Sequence, residues 1–273
     1  MKKVIIAFDG SNFSEAAFEF ARRLNELKPI LLTGVFLPQA DLYNLWSYAD
    51  GVGGLYIPLV ESRESELVKT SIDLFKKRCQ GNGIDFRVHD DFYDFAIPEL
   101  KKESRYADLL IIGSEKFYEN AGKNSPNPYL KFALHDVQCP VLLVPEKFEF
   151  PENIILAYDG SEDSVFAIKQ FAYLFPELLR KETFLLYVSE DPDDDFPDKI
   201  QMEELAARHF KKLTLWKLDI NPKKQLRKWL LDKSTSLLVS GSYGRSGLSQ
   251  LFSRSFMKDV IADHRLPVFI AHK

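Results

Sequence analysis

The chain repeats itself, and this narrows its fold more than any other feature. Val4-Ile5-Ile6-Ala7-Phe8-Asp9-Gly10-Ser11, followed by Ser14, returns as Ile154-Ile155-Leu156-Ala157-Tyr158-Asp159-Gly160-Ser161, followed by Ser164. Further on, Ala107-Asp108-Leu109-Leu110-Ile111-Ile112-Gly113-Ser114 is matched by Thr235-Ser236-Leu237-Leu238-Val239-Ser240-Gly241-Ser242. Each half then closes on a third match, Cys139-Pro140-Val141-Leu142-Leu143-Val144 against Leu266-Pro267-Val268-Phe269-Ile270-Ala271. Three matches in one order, at a period of about half the chain, describe a duplicated domain and not a solenoid. The halves are expected at residues 1–147 and 152–273, joined near Lys147–Glu152.

Within each half the hydrophobic period alternates. Lys2–Phe8 and Asn153–Tyr158 are short apolar runs rich in β-branched or aromatic residues, the pattern of a buried strand. After Asp-Gly-Ser the spacing turns helical, through Phe13, Ala17, Phe20, Ala21, Leu24 and Leu27, and through Ile168, Phe171, Ala172 and Phe175. Ser11 and Ser161 are the expected N-caps of these helices. Further strands are expected near Ile30–Leu37, Phe86–His89, Leu109–Ile112 and Val141–Val144, and near Thr183–Val188, Thr214–Leu218, Leu237–Ser240 and Val268–Ala271. Helices are expected at Glu64–Cys79, Ile97–Ser104, Lys199–Phe210 and Lys223–Leu231. Such alternation implies an α/β fold of two Rossmann-like domains, each a five-stranded parallel sheet flanked by helices. The apolar final strands would pair about an internal pseudo-two-fold, making a pseudo-dimer within one chain, and further homo-oligomers are compatible with it.

Composition sets the functional limits. The 36 basic and 40 acidic residues leave a formal charge of −4, which speaks against a dedicated binder of nucleic acid or anionic membranes. No apolar run reaches the ~18 residues of a membrane span, and the apolar stretch after Met1-Lys2-Lys3 is too short for a signal peptide. The two cysteines, Cys79 and Cys139, form no CxxC pair and no disulfide framework. A cytoplasmic protein is expected. The scattered histidines His89, His135, His209, His264 and His272 offer no pair at metal-ligand spacing, and neither a GxSxG elbow nor an HExxH pair occurs.

The chemistry concentrates at strand ends. Gly241-Ser242-Tyr243-Gly244 directly follows a strand, and nine residues later Arg254-Ser255 open another helical stretch. Small residues there let backbone approach a ligand, and helix-start amides bind phosphate oxygens. Asp159 ends its half's first strand, where a carboxylate accepts hydrogen bonds from a sugar hydroxyl. Open α/β sheets bind ligands beyond the carboxyl ends of their strands, where strand order reverses. Asp159 and Gly241 would share that crevice if the first and fourth strands flank the reversal.

These motifs resemble the universal stress protein (UspA) family over nearly the whole chain, as two tandem copies. The resemblance implies the adenine nucleotide alpha hydrolase-like fold, with strand order 3-2-1-4-5 and domains associated through their last strands. It also implies an ATP site, with any Mg2+ held through the phosphates. ATP-binding members carry Gly-x-x-Gly, nine residues, then Gly followed by Ser or Thr. Gly241, Gly244 and Ser255 match, whereas Arg254 stands at the glycine and would either fill the triphosphate space or pair with phosphate. The same pattern puts Asp159 at the ribose and Ala157 and Val188 near the base. In the first half Lys116 replaces the second glycine and Pro126-Asn127 the Gly-Ser pair, so nucleotide is expected only in the second half.

The resulting expectation is a stress-response regulatory module without robust catalysis, at most a weak ATPase. Two alternatives stand beside it. One is a ligand-free protein-interaction scaffold. The other is an adenylating ATPase of the PP-loop type, suggested loosely by Asp159-Gly160-Ser161-Glu162-Asp163-Ser164. Gly122-Lys123-Asn124 is not a P-loop, because Phe117 and Asn124 occupy positions that need Gly and Ser or Thr. Pro38–Ser62, present only in the first half, reads as a packed surface excursion or a lid, and Asp191–Asp195 as a solvated turn.

Overall fold

In the computed structural model, backbone and side chains are described for residues 1–10, 12–37, 66–90, 96–119, 130–189, 193–218, 235–241 and 266–272, and backbone alone for 57–65 and 128–129. The first five strands are β1 (Lys2–Phe8), β2 (Ile30–Phe36), β3 (Asp85–His89), β4 (Leu109–Gly113) and β5 (Val141–Val144). The second five are β6 (Asn153–Tyr158), β7 (Glu182–Val188), β8 (Lys212–Leu218), β9 (Ser236–Ser240) and β10 (Val268–Ile270). Helices α1 (Glu15–Leu27), α2 (Ile57–Gly81), α3 (Ala96–Ser104) and α4 (Pro128–His135) belong to the first set, and α5 (Glu162–Leu174) and α6 (Lys199–His209) to the second.

All ten strands form one sheet in the order β3-β2-β1-β4-β5-β10-β9-β6-β7-β8. Read from either edge inward to the middle, each set of five has the same order, third-second-first-fourth-fifth. Neighbours within a set run parallel. At the centre β10 pairs antiparallel with β5, placing Val268, Phe269 and Ile270 opposite Leu143, Leu142 and Val141. Antiparallel pairing of equivalent strands relates the halves by a pseudo-two-fold at this seam. It also pairs both inner edges, which would otherwise template aggregation.

Strand residues alternate between the two faces. Val4, Ile6 and Phe8 join one apolar layer with Phe20 of α1, Phe75 of α2, Phe171 of α5 and Phe210 beyond α6. Ile5 and Ala7 join the opposite layer with Leu100 of α3 and Leu130 and Leu134 of α4. The outer strands β3 and β8 are only half covered, and Trp216 of β8 is exposed.

Aromatic and charged contacts tie the seam together. Phe148 and Phe150 pack on Phe20 at centroid distances of 5.5 and 5.1 Å. Arg23 and Lys181 lie over the Phe150 ring at 5.1 and 6.0 Å. Lys2 reaches across to Glu177 at 3.5 Å, and burial lowers its ammonium pKa although Glu177 opposes the shift.

Three local expectations are revised or extended. Ser11 lies outside the described residues, and the cap of α1 is Ser14, whose Oγ accepts from the Ala17 amide at 3.1 Å. The helix starts a turn later than in the second half because Phe13 stays in the loop and stacks on Phe8 at 4.7 Å. In the second half Ser161 caps α5, accepting from the Ser164 amide at 3.2 Å. Helix α2 begins at Ile57 and not Glu64, with Pro58 in the first turn, where a missing amide costs nothing. Helix α4 was not foreseen. The Lys223–Leu231 stretch and residues 38–56 lie outside the described residues.

Candidate functional site

The connection from β1 leads to β2 on one side, and the chain later returns to β4 on the other. The strand order therefore reverses between β1 and β4, and likewise between β6 and β9. Leu156 of β6 is opposite Val239 of β9, so Asp159 and Gly241, just past the ends of those strands, rim one crevice. Ala157 is buried in β6 and Val188 in β7, the strand beside it. Of the candidate residues, Ala157, Asp159, Val188 and Gly241 thus gather at the carboxyl edge of the second half. Gly244, Arg254 and Ser255 lie outside the described residues.

The Asp-Gly pair of the repeat is turn chemistry first. Gly10 and Gly160 have φ of 86° and 80°, a left-handed conformation that disfavours side chains. In the second half the turn also meets Pro197, whose Cβ would lie 2.7 Å from a Cβ on Gly160. Pro197 is held in turn by the Tyr158 hydroxyl, which donates to its carbonyl at 2.7 Å.

The two aspartates differ. Asp9 is 6% exposed. Its Oδ1 accepts from the Asn12 amide at 2.7 Å, and its Oδ2 accepts from Asn12 Nδ2 at 3.0 Å and the Tyr118 amide at 2.9 Å. Asp159 is half-buried. Its Oδ1 accepts from the Ser161 amide at 3.0 Å and the Ser161 hydroxyl at 2.5 Å, and its Oδ2 has no hydrogen bond among the described residues.

The first crevice is filled by its own chain. Tyr118, 8% exposed, spans the ends of the first two strands: its amide bonds Asp9 and its hydroxyl donates to the Leu37 carbonyl at 2.5 Å. It packs with Phe117, Ala7, Val35 and Ile112, and it holds φ at 51°, a strained value for an aromatic residue. At the other end the Glu146 carboxylate accepts from the Ser14 hydroxyl at the cap of α1 and lies against Gly113. An arriving phosphate would meet this negative charge. The sequence offered a signal only for the missing glycines, not for the tyrosine that fills the crevice.

Gly241 carries a structural duty of its own. A Cβ there would lie 2.7 Å from the Asp163 carbonyl carbon and 2.8 Å from the Ser164 nitrogen, backbone atoms of the first turn of α5. Gly113 makes the equivalent approach to Ser14. The glycine after the fourth strand lets helix and strand close in both halves.

Around the second crevice the acidic stretch is anchored. Asp194 accepts from the Tyr187 hydroxyl at 2.5 Å and the Ser189 hydroxyl at 2.9 Å. These bonds hold its carboxyl below the usual range, whereas burial and the carboxylate push the Tyr187 phenol up to about 12. Asp191 and Pro192 lie outside the described residues. Burial pushes the thiols of Cys79 and Cys139 up to about 12, the range of packed and not nucleophilic cysteines. No cluster of histidine, cysteine and carboxylate able to hold a metal occurs among the described residues. No helix there is long and apolar enough to cross a membrane.

No family model matches the sequence. Among solved structures, a universal stress protein from Archaeoglobus fulgidus DSM 4304 superposes with a TM-score of 0.71 over 99% of this chain and 98% of that one, at 18% identity. The chain has the universal stress protein fold. Two Pseudomonas aeruginosa proteins, from strains UCBPP-PA14 and PAO1, superpose at TM-scores of 0.49 and 14% identity over all of this chain and 93% and 92% of theirs. The likeness to the Archaeoglobus protein extends over the whole of both chains. The two strand-order reversals lie where open α/β sheets form ligand crevices, and in this chain the two differ.

Proposed function

We propose that the chain is a tandem universal stress protein, a regulatory module of the cytoplasm that binds ATP in its second half alone. The observation that carries this reading is the contrast between the aspartates. Asp9 has both carboxylate oxygens committed to its own chain, whereas Asp159 keeps Oδ2 for a ribose hydroxyl. Buried Ala157 and Val188 supply an apolar wall for a base, and Gly244 and Ser255 would approach the phosphates, with Mg2+ held through those phosphates.

Calorimetric titration of ATP into the intact chain tests the assignment. A lost charge-assisted hydrogen bond costs about 1.5–3 kcal/mol, so Asp159→Ala should weaken binding about tenfold or more, while Asp9→Ala leaves it unchanged. Arg254→Gly reads the role of that side chain: affinity falls if the guanidinium pairs with phosphate and rises if it obstructs. Wild-type protein that gives no heat with ATP overturns the reading. The ligand-free interaction scaffold then takes its place, favoured by the packing of Gly241, which accounts for that glycine without any ligand.

A further inference from the structure

The pseudo-two-fold makes a second comparison possible, away from the strand-order reversals. Where the end of β5 meets α1, the groove beside the seam is closed by the connection between the halves, with Phe148 and Phe150 seated on Phe20. The repeat aligns Ser14 with Ser164, so Phe20 corresponds to Gln170, and the symmetry-related groove lies where β10 meets α5. Among the described residues no connecting segment passes there. In its place is a cleft of about 340 Å3, lined from one half by Lys101, His135, Gln138 and Pro140 and from the other by Phe166, Gln170 and His272. That volume falls within the range of small-molecule sites, roughly 300–1,000 Å3.

The lining is chemically lopsided. Lys101 is half-buried and its ammonium has no ion-pair partner among the described residues; half-buried Gln170 has no hydrogen bond there either. His135 and His272 add imidazoles, and Gln138 adds an amide whose Nε2 donates to the Asp136 carbonyl at 3.3 Å. The lining also includes the carboxylate of Asp136, 3.4 Å from His135 Nδ1. A half-buried cation without a counter-ion, in a cleft rich in donors, calls for an anion. Phe166, Val137 and Pro140 give that anion's carbon body an apolar wall.

We propose that this seam cleft binds a small organic anion bearing carboxylate or phosphate, and that the ligand bridges the two halves. The site is distinct from the nucleotide crevice and does not depend on it. Two substitutions probe it: Lys101→Ala removes the cation, and Gln170→Phe installs the aromatic that fills the symmetry-related groove. Calorimetry on the full chain would use citrate for the carboxylate and inorganic phosphate for the phosphate, with imidazole resonances of His135 and His272 followed by NMR. At least one probe should bind and shift both imidazoles. Lys101→Ala should weaken it about tenfold, and Gln170→Phe should abolish it, with both variants melting as the wild type does. Whichever probe binds identifies the headgroup. Absence of binding by both probes, binding indifferent to both substitutions, or displacement of the probe by ATP would each overturn the proposal. Since ATP binding is measured separately, failure here leaves the reading of the second-half crevice standing, and the reverse holds too.

Discussion

Gly241→Ala separates structural from ligand-binding duty at the glycine that follows the fourth strand of the second half. The added Cβ would lie 2.7 Å from the carbonyl carbon and 3.0 Å from the carbonyl oxygen of Asp163, and 2.8 Å from the Ser164 nitrogen. Relieving these contacts needs a separation of more than half an ångström between two backbones. Neither backbone is free to give. The Ser164 amide is held by the Ser161 hydroxyl at 3.2 Å, and the preceding Ser240 accepts from the Ala271 amide at 3.3 Å while paired with Ile270. Overpacking typically costs about 1–3 kcal/mol, and a backbone-on-backbone clash with both sides tied belongs at the upper end, about 2–3 kcal/mol. A domain of this size loses roughly 2–4 °C per kcal/mol, so the melting point should fall by about 4–12 °C. Urea unfolding followed by far-ultraviolet circular dichroism gives the free energy directly. Gly81→Ala, at the end of α2 with nothing within 4 Å of the new Cβ, is the control, and should be neutral or stabilising by up to about 1 kcal/mol. A Gly241→Ala protein within about 0.5 kcal/mol of the wild type would refute the packing argument. If the loss is seen, failure of such a variant to bind ATP says nothing about phosphate contact, and Asp159 is the sounder probe.

Other measurements reach different parts of the same argument. Tyr187 keeps its proton in the folded state up to about pH 12 and loses it near pH 10 when unfolded, so its contribution is full below pH 10 and is lost as the pH rises towards 12. Tyr187→Phe, which cannot ionise, should flatten the alkaline decline in stability over that window; an identical decline in both proteins would count against the Asp194 contact. Cys79 and Cys139, with thiols at about 12, are about one part in ten thousand thiolate at pH 8. Both should resist Ellman's reagent in the native protein and react fully in denaturant, and rapid native labelling would show that the thiols are accessible.

The strand framework was legible because it rests on patterns with few alternatives. An uninterrupted Val-Ile-Ile-Ala-Phe run ending in Asp-Gly can only be a buried strand entering a turn, and Gly10 and Gly160 occupy the positive φ that such a turn requires. Repetition of that run fixed the equivalence of the halves. The boundaries of α1 and α2 were less legible because capping residues compete. Ser11 and Ser14 both suit an N-cap, and the choice between them is made by Phe13 stacking on Phe8, a tertiary contact that no local spacing encodes. Helix α4 was missed because its eight residues offer too short a period to stand out. At the sites, the sequence exposed the loss of phosphate-loop glycines but not their replacement. Tyr118 satisfies Asp9 and Leu37 from more than eighty residues away, and only the folded sheet brings those strand ends under one ring.

Duplication followed by divergence explains why the asymmetries fall where they do. The shared constraints are those that both halves need to fold: the left-handed glycine after the first strand, the glycine that lets the fourth strand approach the first helix, and the paired last strands at the seam. Those positions kept their residue types. In the first half an aromatic ring and a carboxylate occupy the crevice, burying apolar surface and pairing the cap hydroxyl of Ser14. The seam diverged in the opposite sense. A connection between halves exists on only one side of a pseudo-two-fold, so Phe148 and Phe150 close one groove, and among the described residues no segment covers its counterpart. An apolar residue at position 170 would have stood in water there; glutamine, in a lining shared with a lysine that has no ion-pair partner among the described residues, suits a surface that stays wet or is covered by something polar.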